Sequence, residues 1–365
     1  MHKEDNISRL TVRCVGDIAP VRGALEILGN PDAGEFTRQL LKSLPQSDLT
    51  VANLEAPIVS QATLSANKRY SLKTDISALN LFGSRSVLSL ANNHIMDCGE
   101  EGLVETIAAL KAKGIVYAGA GRNLEEASKP ALIDVGGIRV AVLCCADPRF
   151  QAATANSAGT CPAAIELVDA SVRELQATTD IVIVSVHMGI EFLPVPSKRQ
   201  LELAEVCARA GASVLHFHHT HTISGIQEIG ECTVLFGTGN FLFPYILAAG
   251  HRRAWHKSAV WTVDAVLDQR RPVSTSVSWT PLLLNNAGLP APAPAKIANN
   301  INREIKRWSG RIQNRNALQA WRLLYVLRPG YLWLAIVNYG DMVRRRGLIC
   351  TAREFGRALR ASFMG

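Results

Sequence analysis

Short runs of apolar, β-branched residues alternate along the chain with segments whose apolar residues recur every three or four positions. The apolar runs predict strands over residues 10–15, 49–53, 86–91, 139–145, 180–186, 212–217 and 232–238. The spaced segments predict helices over residues 34–44, 100–114 and 197–211. This alternation of strands and helices is typical of an α/β layered domain.

The charge along the chain changes near a Pro/Ala-rich stretch, "GLPAPAPAK", at residues 288–296. The first 300 residues carry 26 basic and 28 acidic side chains, whereas residues 301–365 carry 13 basic and three acidic ones. The basic excess therefore belongs to the C-terminal part. This pattern predicts a domain over residues 1–287, which includes strand-like pieces at 256–284, then a linker over 288–296 and a basic, aromatic-rich helical tail over 297–365.

Polar residues follow the predicted strands where five of them end. These residues are Asp17; Asn53 and Glu55; Asn92, Asn93 and His94; His187 and Glu191; and His219 and His221. Open α/β sheets collect ligand sites at the carboxyl ends of their strands, because the loops there meet in one crevice. A single Asp at such a place is usually part of a turn. Five strand ends of this kind together predict a functional site.

The residue types at these strand ends are those that hold divalent metal ions. Carboxylate oxygen, amide oxygen and neutral imidazole nitrogen suit borderline metals, and two ions can be held if one carboxylate bridges them. In "LHFHHTHTIS" (215–224), His219 and His221 are two positions apart on a predicted extended segment, so they are expected to point the same way. His218 is expected to face away, as a structural residue or as one that orients a ligand.

The chain resembles the CapA family of capsule-synthesis or poly-γ-glutamate biosynthesis proteins, which belongs to the calcineurin-like metallophosphatase superfamily. The resemblance extends over roughly residues 10–285. It is carried by "GDIAPVR" (16–22), "ANLEAPI" (52–58), the block at 89–127 that begins "SLANNHIMDCGEEG", "VSVHMGIEF" (184–192), "HHTHTISGIQ" (218–227) and "GTGNFLF" (237–243).

The resemblance implies a four-layer α/β/β/α sandwich with a centre for two divalent ions, which would be Mn, Fe or Zn. The metal ligands that it implies are Asp17, Glu55, Asn93, His187, His219 and His221. It also implies that His94 acts as a general acid or charge stabiliser and that Asn240, in a "GNF" turn, lies near the rim of the site.

This chain departs from the family pattern in the histidine motif at residues 215–224 and in the first strand. The family usually has Gly-His-His-Pro-His, where this chain has Phe217 in place of the Gly and Thr220 in place of the Pro. Metallophosphatases have an Asp-x-His at the first strand, which "VGDI" does not supply. One of the two ions is therefore expected to be held more weakly.

Two functions are compatible with these residues. The first is a metal-dependent hydrolase, in which a metal-activated water attacks a phosphoester or amide substrate and His94 assists the leaving group. The second is a non-catalytic assembly factor that binds an anionic capsule polymer. Nucleic acid is not an expected partner, because the basic tail has no recognisable reading module.

Residues around the predicted rim have more than one explanation. Arg22 either meets an anionic substrate group or forms a surface salt bridge. Glu191 either supports His187 or contacts the substrate. Asn53 and Asn92 are assigned to substrate contact or to the orientation of the ligands.

The composition is that of a globular protein, with 365 residues of which 48% are hydrophobic and 19% charged. The start, "MHKEDNISRLTVRC", lacks the apolar run of a signal peptide, and no stretch reaches the roughly 18 apolar residues needed to span a bilayer, so a cytoplasmic location is expected. The tail mixes Arg with Trp and Tyr, which predicts either contact with an anionic membrane or packing on the domain. Eight cysteines without a CxxC pair predict small buried hydrophobes.

Overall fold

The computed structural model describes residues 7–21, 23–30, 33–60, 63–64, 71–243, 256–269 and 271–327. The strands within these ranges are β1 Ile7–Ile18, β2 Leu49–Leu54, β3 Ser86–Ser89, β4 Val116–Ala118, β5 Ala120–Gly121, β6 Ala131–Val135, β7 Ile138–Ala146, β8 Gly159–Thr160, β9 Ile181–His187, β10 Val214–His218, β11 Ile226–Ile229, β12 Cys232–Leu235, β13 Asn240–Leu242, β14 Lys257–Asp268, β15 Arg271–Leu284 and β16 Pro290–Pro292. The helices are α1 Gly23–Leu28, α2 Ala33–Lys42, α3 Gly99–Ala112, α4 Leu124–Ala127, α5 Ile165–Thr178, α6 Lys198–Ala210, α7 Ala295–Gln313 and α8 Arg315–Val326.

Each strand and helix predicted from the sequence corresponds to one of these elements, with ends that differ by at most three residues. The helix that follows the loop after β9 illustrates why its bounds are readable. Ser197 caps α6 by accepting from the N–H of Gln200, and the Gln200 side chain accepts in return from the N–H of Ser197. Gly211 ends the helix with a φ of 101°, a left-handed conformation that glycine adopts without a steric cost.

Sheet one has the strand order β16-β15-β14-β1-β2-β3-β4, and β13 pairs with the end of β1. Strands β1 to β4 and β13 run parallel to one another, whereas β14, β15 and β16 form an antiparallel extension. At its carboxyl end β1 therefore lies between β2 and β13. This places Asp17 opposite Asn53 on one side and opposite Asn240 on the other.

Sheet two has the order β11-β12-β10-β9-β7-β6, with parallel central strands and antiparallel strands at both edges. Its central strands are buried on both faces, which explains their nearly continuous apolar sequences. His187 at the end of β9 lies opposite His218 at the end of β10.

The two sheets pack face to face and carry helices on their outer faces. Val51 of sheet one and Val142 of sheet two belong to one buried cluster between the sheets. A second cluster joins the outer face of sheet one to α1, α2 and α3, and a third joins the outer face of sheet two to α5 and α6. The four-layer α/β/β/α architecture that the resemblance implied is therefore confirmed.

The segment after residue 288 was predicted as a linker followed by a basic helical tail, with packing on the domain as one of two alternatives, and its described part does pack on the domain. Residues 290–292 form β16, which pairs with β15. In α7, Ile301, Ile305 and Trp308 are at most 1% exposed and belong to the clusters beside sheet two. The spacing of these residues gives the helix one apolar face, which explains why it packs on the domain. The part of the predicted tail beyond residue 327 lies outside the described residues.

None of the helices in the described ranges combines the length and the apolar character that a membrane crossing requires. The seven cysteines in these ranges are buried and unbridged, as the spacing predicted, while Cys350 lies outside them. Burial raises the pKa of the Cys14 and Cys144 thiols to about 12, so they stay protonated at neutral pH.

Candidate metal centre

The polar residues predicted at the strand ends come together where the carboxyl ends of both sheets meet. Asp17 and Asn53 come from sheet one, and His187 and His218 from sheet two. All four residues are at most 2% exposed. A cluster of buried carboxylate, amide and imidazole groups requires internal partners, because burial removes the water that would otherwise solvate them.

Asp17 is the most heavily contacted carboxylate of the cluster. Its Oδ1 accepts from the Asn53 side-chain amide at 2.9 Å and lies 3.1 Å from His218 Nδ1. Its Oδ2 accepts from the backbone N–H of His219 at 3.2 Å and lies 3.3 Å from His221 Nδ1. Burial alone would raise the pKa of Asp17, but the contacts with His218 and His221 hold it well below its usual range. Asp17 is therefore ionised.

Glu55 is as deeply buried as Asp17 but lacks comparable partners. Within the described residues, neither of its carboxylate oxygens has a hydrogen-bond partner, and its exposed fraction is 0%. Its Oε1 lies 3.6 Å from His187 Nε2 and 3.9 Å from His221 Nε2. Burial, together with the charge of Asp17, raises the pKa of Glu55 well above its usual range. A cation among these atoms would reverse this effect.

Two of the imidazoles are held in the neutral form, which is the form that binds metals. Burial lowers the pKa of His187 well below its usual range and that of His219 to about 4. His187 Nε2 lies 2.8 Å from Asn93 Oδ1 and 3.1 Å from His219 Nδ1. Nitrogen atoms of both imidazoles and the amide oxygen thus lie together in one small volume.

His221 behaves differently from the other two imidazoles. Burial alone would lower its pKa, but the Glu55 and Asp17 carboxylates raise it to about 10. In the protein by itself, a proton on His221 therefore compensates part of the carboxylate charge. Asn240 Oδ1 accepts from His221 Nδ1 at 2.8 Å, which orients the ring. Metal binding would release the proton, as it does wherever a ligand must be deprotonated.

The donor atoms form two overlapping groups. Glu55, His187 and His219 offer ligand atoms that lie within 4.8 Å of one another, and so do Asp17, Glu55 and His221. Glu55 belongs to both groups. A divalent ion held by either group would thus draw on the Glu55 carboxylate.

His94 lies at the open edge of the cluster. Its side chain is 13% exposed, and its Nε2 lies 4.0 Å from Glu55 Oε1. Its Nδ1 donates to Asp97 Oδ2 at 2.6 Å, and the same oxygen accepts from the Leu72 N–H at 2.7 Å. The buried Asp97 carboxylate thus fixes the ring and directs Nε2 toward the centre.

Asn92 shapes the turn that presents Asn93 and His94. Its Oδ1 accepts from the N–H groups of His94 at 3.0 Å and Ile95 at 2.9 Å. Its amide donates to Asn53 Oδ1 at 3.1 Å, which connects the ends of β2 and β3. Asn53 and Asn92 are therefore hydrogen-bonded to other members of the cluster.

Comparison with known proteins shows the family of this chain. Residues 11–245 match the model of a protein family described as bacterial capsule synthesis protein PGA_cap. This chain belongs to that family. Curated relatives of this chain are named CapA, so the resemblance seen in the sequence is confirmed.

Two curated relatives are each 29% identical to this PGA_cap chain. One is the PGA biosynthesis protein CapA of Bacillus subtilis (strain 168), aligned over 240 residues that cover 64% of this chain and 63% of the relative. The other is the capsule biosynthesis protein CapA of Bacillus anthracis, aligned over 255 residues that cover 66% of this chain and 61% of the relative. The chain thus spans less than two thirds of the length of either relative.

Solved structures similar to this chain include two phosphoesterases. The 5′-nucleotidase precursor of Thermus thermophilus is 16% identical with a TM-score of 0.47, covering 84% of this chain and 59% of that chain. The calcineurin-like phosphoesterase YfkN of Bacillus subtilis is 11% identical with a TM-score of 0.42, covering 84% of this chain and 99% of that chain.

Two details of the histidine motif differ from the sequence prediction. His219 and His221 are not on an extended segment, because their φ angles of 83° and 52° are left-handed. His218 does not face away, since its Nδ1 lies next to Asp17 Oδ1 and its Nε2 bonds to Ser185 Oγ at 3.1 Å. The chain bends sharply after β10, so the contacts of His218, His219 and His221 with Asp17 arise from one turn. Left-handed non-glycine residues are strained, and such strain is concentrated at functional sites.

Sequence reasoning missed the aromatic residues that enclose the imidazoles. The Phe150 ring lies 4.8 Å from the His219 ring, and the Phe243 ring lies 4.7 Å from the His221 ring, measured between centroids. Phe150 follows the carboxyl end of β7, and this position was the available signal. Glu191, which the sequence did predict at the rim, is exposed, and its charge raises the pKa of His219 against the effect of burial. Arg22 lies outside the described residues.

The residues present fit a divalent metal centre. The fully buried Glu55 carboxylate is the decisive feature, because neither of its oxygens has a hydrogen-bond partner among the described residues and a divalent ion would satisfy them. The surrounding oxygen and imidazole donors suit borderline divalent ions. The cluster of His, Asp and Glu residues is therefore a candidate metal-binding site.

Proposed function

We propose that this PGA_cap protein is a metal-dependent hydrolase that acts in the biosynthesis of a capsule or of a poly-γ-glutamate-like exopolymer. The observation that carries the proposal is Glu55, a buried carboxylate without a hydrogen-bond partner among the described residues, which lies between two groups of imidazole and carboxylate donors. A purely structural role would not require such a carboxylate, because an apolar side chain of the same size would cost less to bury.

Two divalent ions, chosen from Mn, Fe and Zn, would be held by residues from both sheets. The proposed ligands are Asp17, Glu55, Asn93, His187, His219 and His221. Ions in this position would lower the pKa of water and stabilise negative charge that develops on the substrate. Asn53, Asn240 and His218 would orient the ligands that they contact, which is how outer residues tune metal sites.

His94 is proposed as the group that moves a proton. Its Nδ1 is occupied by Asp97, so the atom available to a substrate is Nε2, which lies at the open edge of the centre. From there Nε2 would donate a proton to the leaving group. The buried Asp97 carboxylate supports this role because it holds Nδ1 and so directs Nε2 toward the centre.

The proposed substrate is a phosphoester or an amide, and the proposed partner is an anionic polymer. The names of the Bacillus relatives refer to PGA biosynthesis and to capsule biosynthesis. A poly-γ-glutamate polymer is anionic. The outward face of α7 carries the exposed basic residues Lys296, Arg303, Lys306 and Arg307. This face favours the second candidate function, which is an assembly factor that binds the polymer without hydrolysing it.

Metal analysis combined with turnover separates the two functions. We expect the purified protein to hold about two divalent ions per chain and to hydrolyse a generic phosphodiester or a γ-glutamyl amide. Asp17→Ala and His219→Ala should lose both the metal and the turnover, whereas Glu125→Ala, at a site 83% exposed, should keep both. Folded protein that binds polyglutamate in a salt-sensitive way, with no product, would favour the assembly factor. Folded protein that takes up no metal would exclude the hydrolase.

A further inference from the structure

The loop between β9 and α6 forms one wall of the candidate metal centre. We refer to residues 188–197 as the wall loop. It carries the exposed Glu191 and the buried Phe192, whose ring lies 5.8 Å from the His221 ring. Phe192 has a left-handed φ of 62°, so its conformation must be held by contacts from outside the residue itself.

The wall loop is hydrogen-bonded to the neighbouring histidine segment, residues 215–224. The Phe192 N–H donates to Thr220 O at 2.7 Å, between the two histidines with left-handed backbones. Ser224 Oγ donates to Pro194 O at 2.5 Å, and Gln200 Nε2 donates to Met188 O at 3.1 Å. The position of the wall loop therefore depends on contacts along its whole length.

A further contact to the wall loop comes from α8. Arg322 Nη2 donates to Pro196 O at the end of the wall loop. Arg322 is only 3% exposed, and burial lowers its pKa. Leu318, one turn earlier on α8, belongs to the same buried cluster as Leu193 and Val195. Burial of the Arg322 guanidinium costs desolvation free energy. We therefore interpret its hydrogen bond to Pro196 O as a contact that holds the wall loop.

Helices α7 and α8 pack on each other, and α7 also packs on the domain at residues 225–226. Arg311 of α7 lies over the rings of Trp308 and Trp321, at 5.0 and 3.6 Å from their centroids, which joins α7 to α8. Ser309 Oγ accepts from the Ile226 N–H at 2.9 Å. A side chain at Gly225 would reach within 2.3 Å of the Ser309 nitrogen, so α7 rests directly on the chain that follows the histidine segment.

We infer that Arg322 is a positioning residue which, from a helix outside the family-matched residues 11–245, fixes the wall loop and with it the place of Glu191 and Phe192 beside the metal centre. Helices α7 and α8 then stabilise the position of the wall loop. That this position helps to hold the substrate rests on the proposed function, whereas the link between Arg322 and the loop does not.

Hydrogen exchange of the full-length protein tests the link directly. The variants are Arg322→Met, which keeps the apolar stem but removes the donor, Arg322→Lys, which keeps a donor, and Arg303→Met, which removes an exposed charge from α7 as a control. In Arg322→Met the amides of residues 192–193 should exchange at least about tenfold faster, because the loop opens locally. Arg322→Lys should restore part of the protection, and Arg303→Met should exchange like the wild type.

The exchange pattern decides the inference in either direction. Faster exchange confined to the wall loop and to residues 219–225 supports it. Unchanged exchange in the wall loop of Arg322→Met overturns it. Equally faster exchange in β1, β9 and β10 also overturns it, because Arg322 would then stabilise the whole fold and not the loop.

Kinetics test the part that rests on the proposed function. With any ester or amide that the wild type hydrolyses, Arg322→Met should raise KM about fivefold or more with kcat changed by less than about twofold, since substrate contact is lost while the ligands stay in place. Metal content should equal that of the wild type. An unchanged KM despite a loosened loop would refute the substrate role. If the wild type hydrolyses nothing, the proposed function fails, and the exchange result still decides the link.

Discussion

Asp17 and Asn53 lie opposite each other in the parallel pairing of β1 and β2, and the Asn53 amide donates to Asp17 Oδ1 over 2.9 Å. The same amide nitrogen lies 3.1 Å from His187 Nδ1. Because His187 belongs to sheet two, a single amide connects the two sheets at the point where the candidate ligands converge. Asn53 is itself fully buried, so its contacts are not shared with water.

Removing this amide should weaken metal binding without removing a ligand. Residues that orient metal ligands typically contribute about 10–100-fold to metal affinity, and we expect a loss in this range for Asn53→Ala. The measurement is titration calorimetry with Mn²⁺ or Zn²⁺ on chelator-treated protein. Asn156→Ala, at an exposed position, is the control. An affinity of Asn53→Ala equal to that of the control would show that Asp17 and His187 need no such support.

The positions of Asp17, Asn53 and Glu55 were predictable because parallel strands deliver their carboxyl ends to one edge. The orientations of His219 and His221 were not predictable, since both residues follow the end of β10 and adopt left-handed conformations. Alternation along an extended strand is the only rule available from sequence, and it fails wherever the strand stops. The same limit applies to Phe192, which reaches the site from a loop.

Glu55→Gln should have opposite effects on the metal-free and the metal-loaded protein. In the metal-free protein, Glu55 is a buried carboxyl whose pKa is raised by burial and by Asp17. Its folded-state pKa exceeds the unfolded value of about 4.3, so the stability it contributes is largest below that pH and falls as pH rises toward the folded-state pKa. The neutral amide avoids this loss. We expect Glu55→Gln to raise the free energy of unfolding by about 1–2 kcal/mol at pH 8 in chelator.

The metal-loaded protein should respond in the other direction. Mn²⁺ or Zn²⁺ should raise the Tm of the wild type through preferential binding to the folded state, and Glu55→Gln should lose most of that increase. Thermal unfolding of both proteins, with chelator and with excess metal, measures both effects. Glu125→Gln should behave like the wild type under both conditions. A Glu55→Gln protein that is less stable in chelator and equally stabilised by metal would contradict the role given to this carboxylate.

Gly16 is required by the close approach of β1 to the chain before β13. A side chain at this position would lie 2.0 Å from Gly239 O, and both backbones are fixed by sheet pairing. Gly16→Ala should therefore destabilise the protein by about 2–4 kcal/mol and weaken metal binding, because Asp17 is the next residue.

Gly310→Ala is the matched control. Its new methyl group would meet nothing within 4 Å. Since Gly310 is helical, alanine there should stabilise by about 0.5–1 kcal/mol. Urea unfolding of both variants measures the difference, and similar changes in the two would contradict the geometry around Gly16.

The C-terminal charge was easier to read from the sequence than the apolar face beneath it. Ile301, Ile305 and Trp308 recur every three or four positions, which is the period of a helix that packs on a core. The basic residues between them suggested a boundary at 288–296. The structure shows that they occupy the outward face of α7. Net charge reports the solvent side of an element, and only periodicity reports the buried side.

Replacing Trp308 should therefore affect the whole domain and not only a tail. The side chain is 1% exposed and packs with α5, α6 and sheet two in one cluster. Trp308→Ala should cost about 3–5 kcal/mol in the free energy of unfolding, the range for large aromatic side chains in cores. Leu324→Ala on α8, at a position 55% exposed, should change it by less than about 0.5 kcal/mol. Denaturant unfolding followed by circular dichroism compares them in a single transition. If Trp308→Ala instead produced a separate early transition, with the remaining helices and sheets unfolding as in the wild type, α7 would be an independent unit and the boundary predicted at 288–296 would hold.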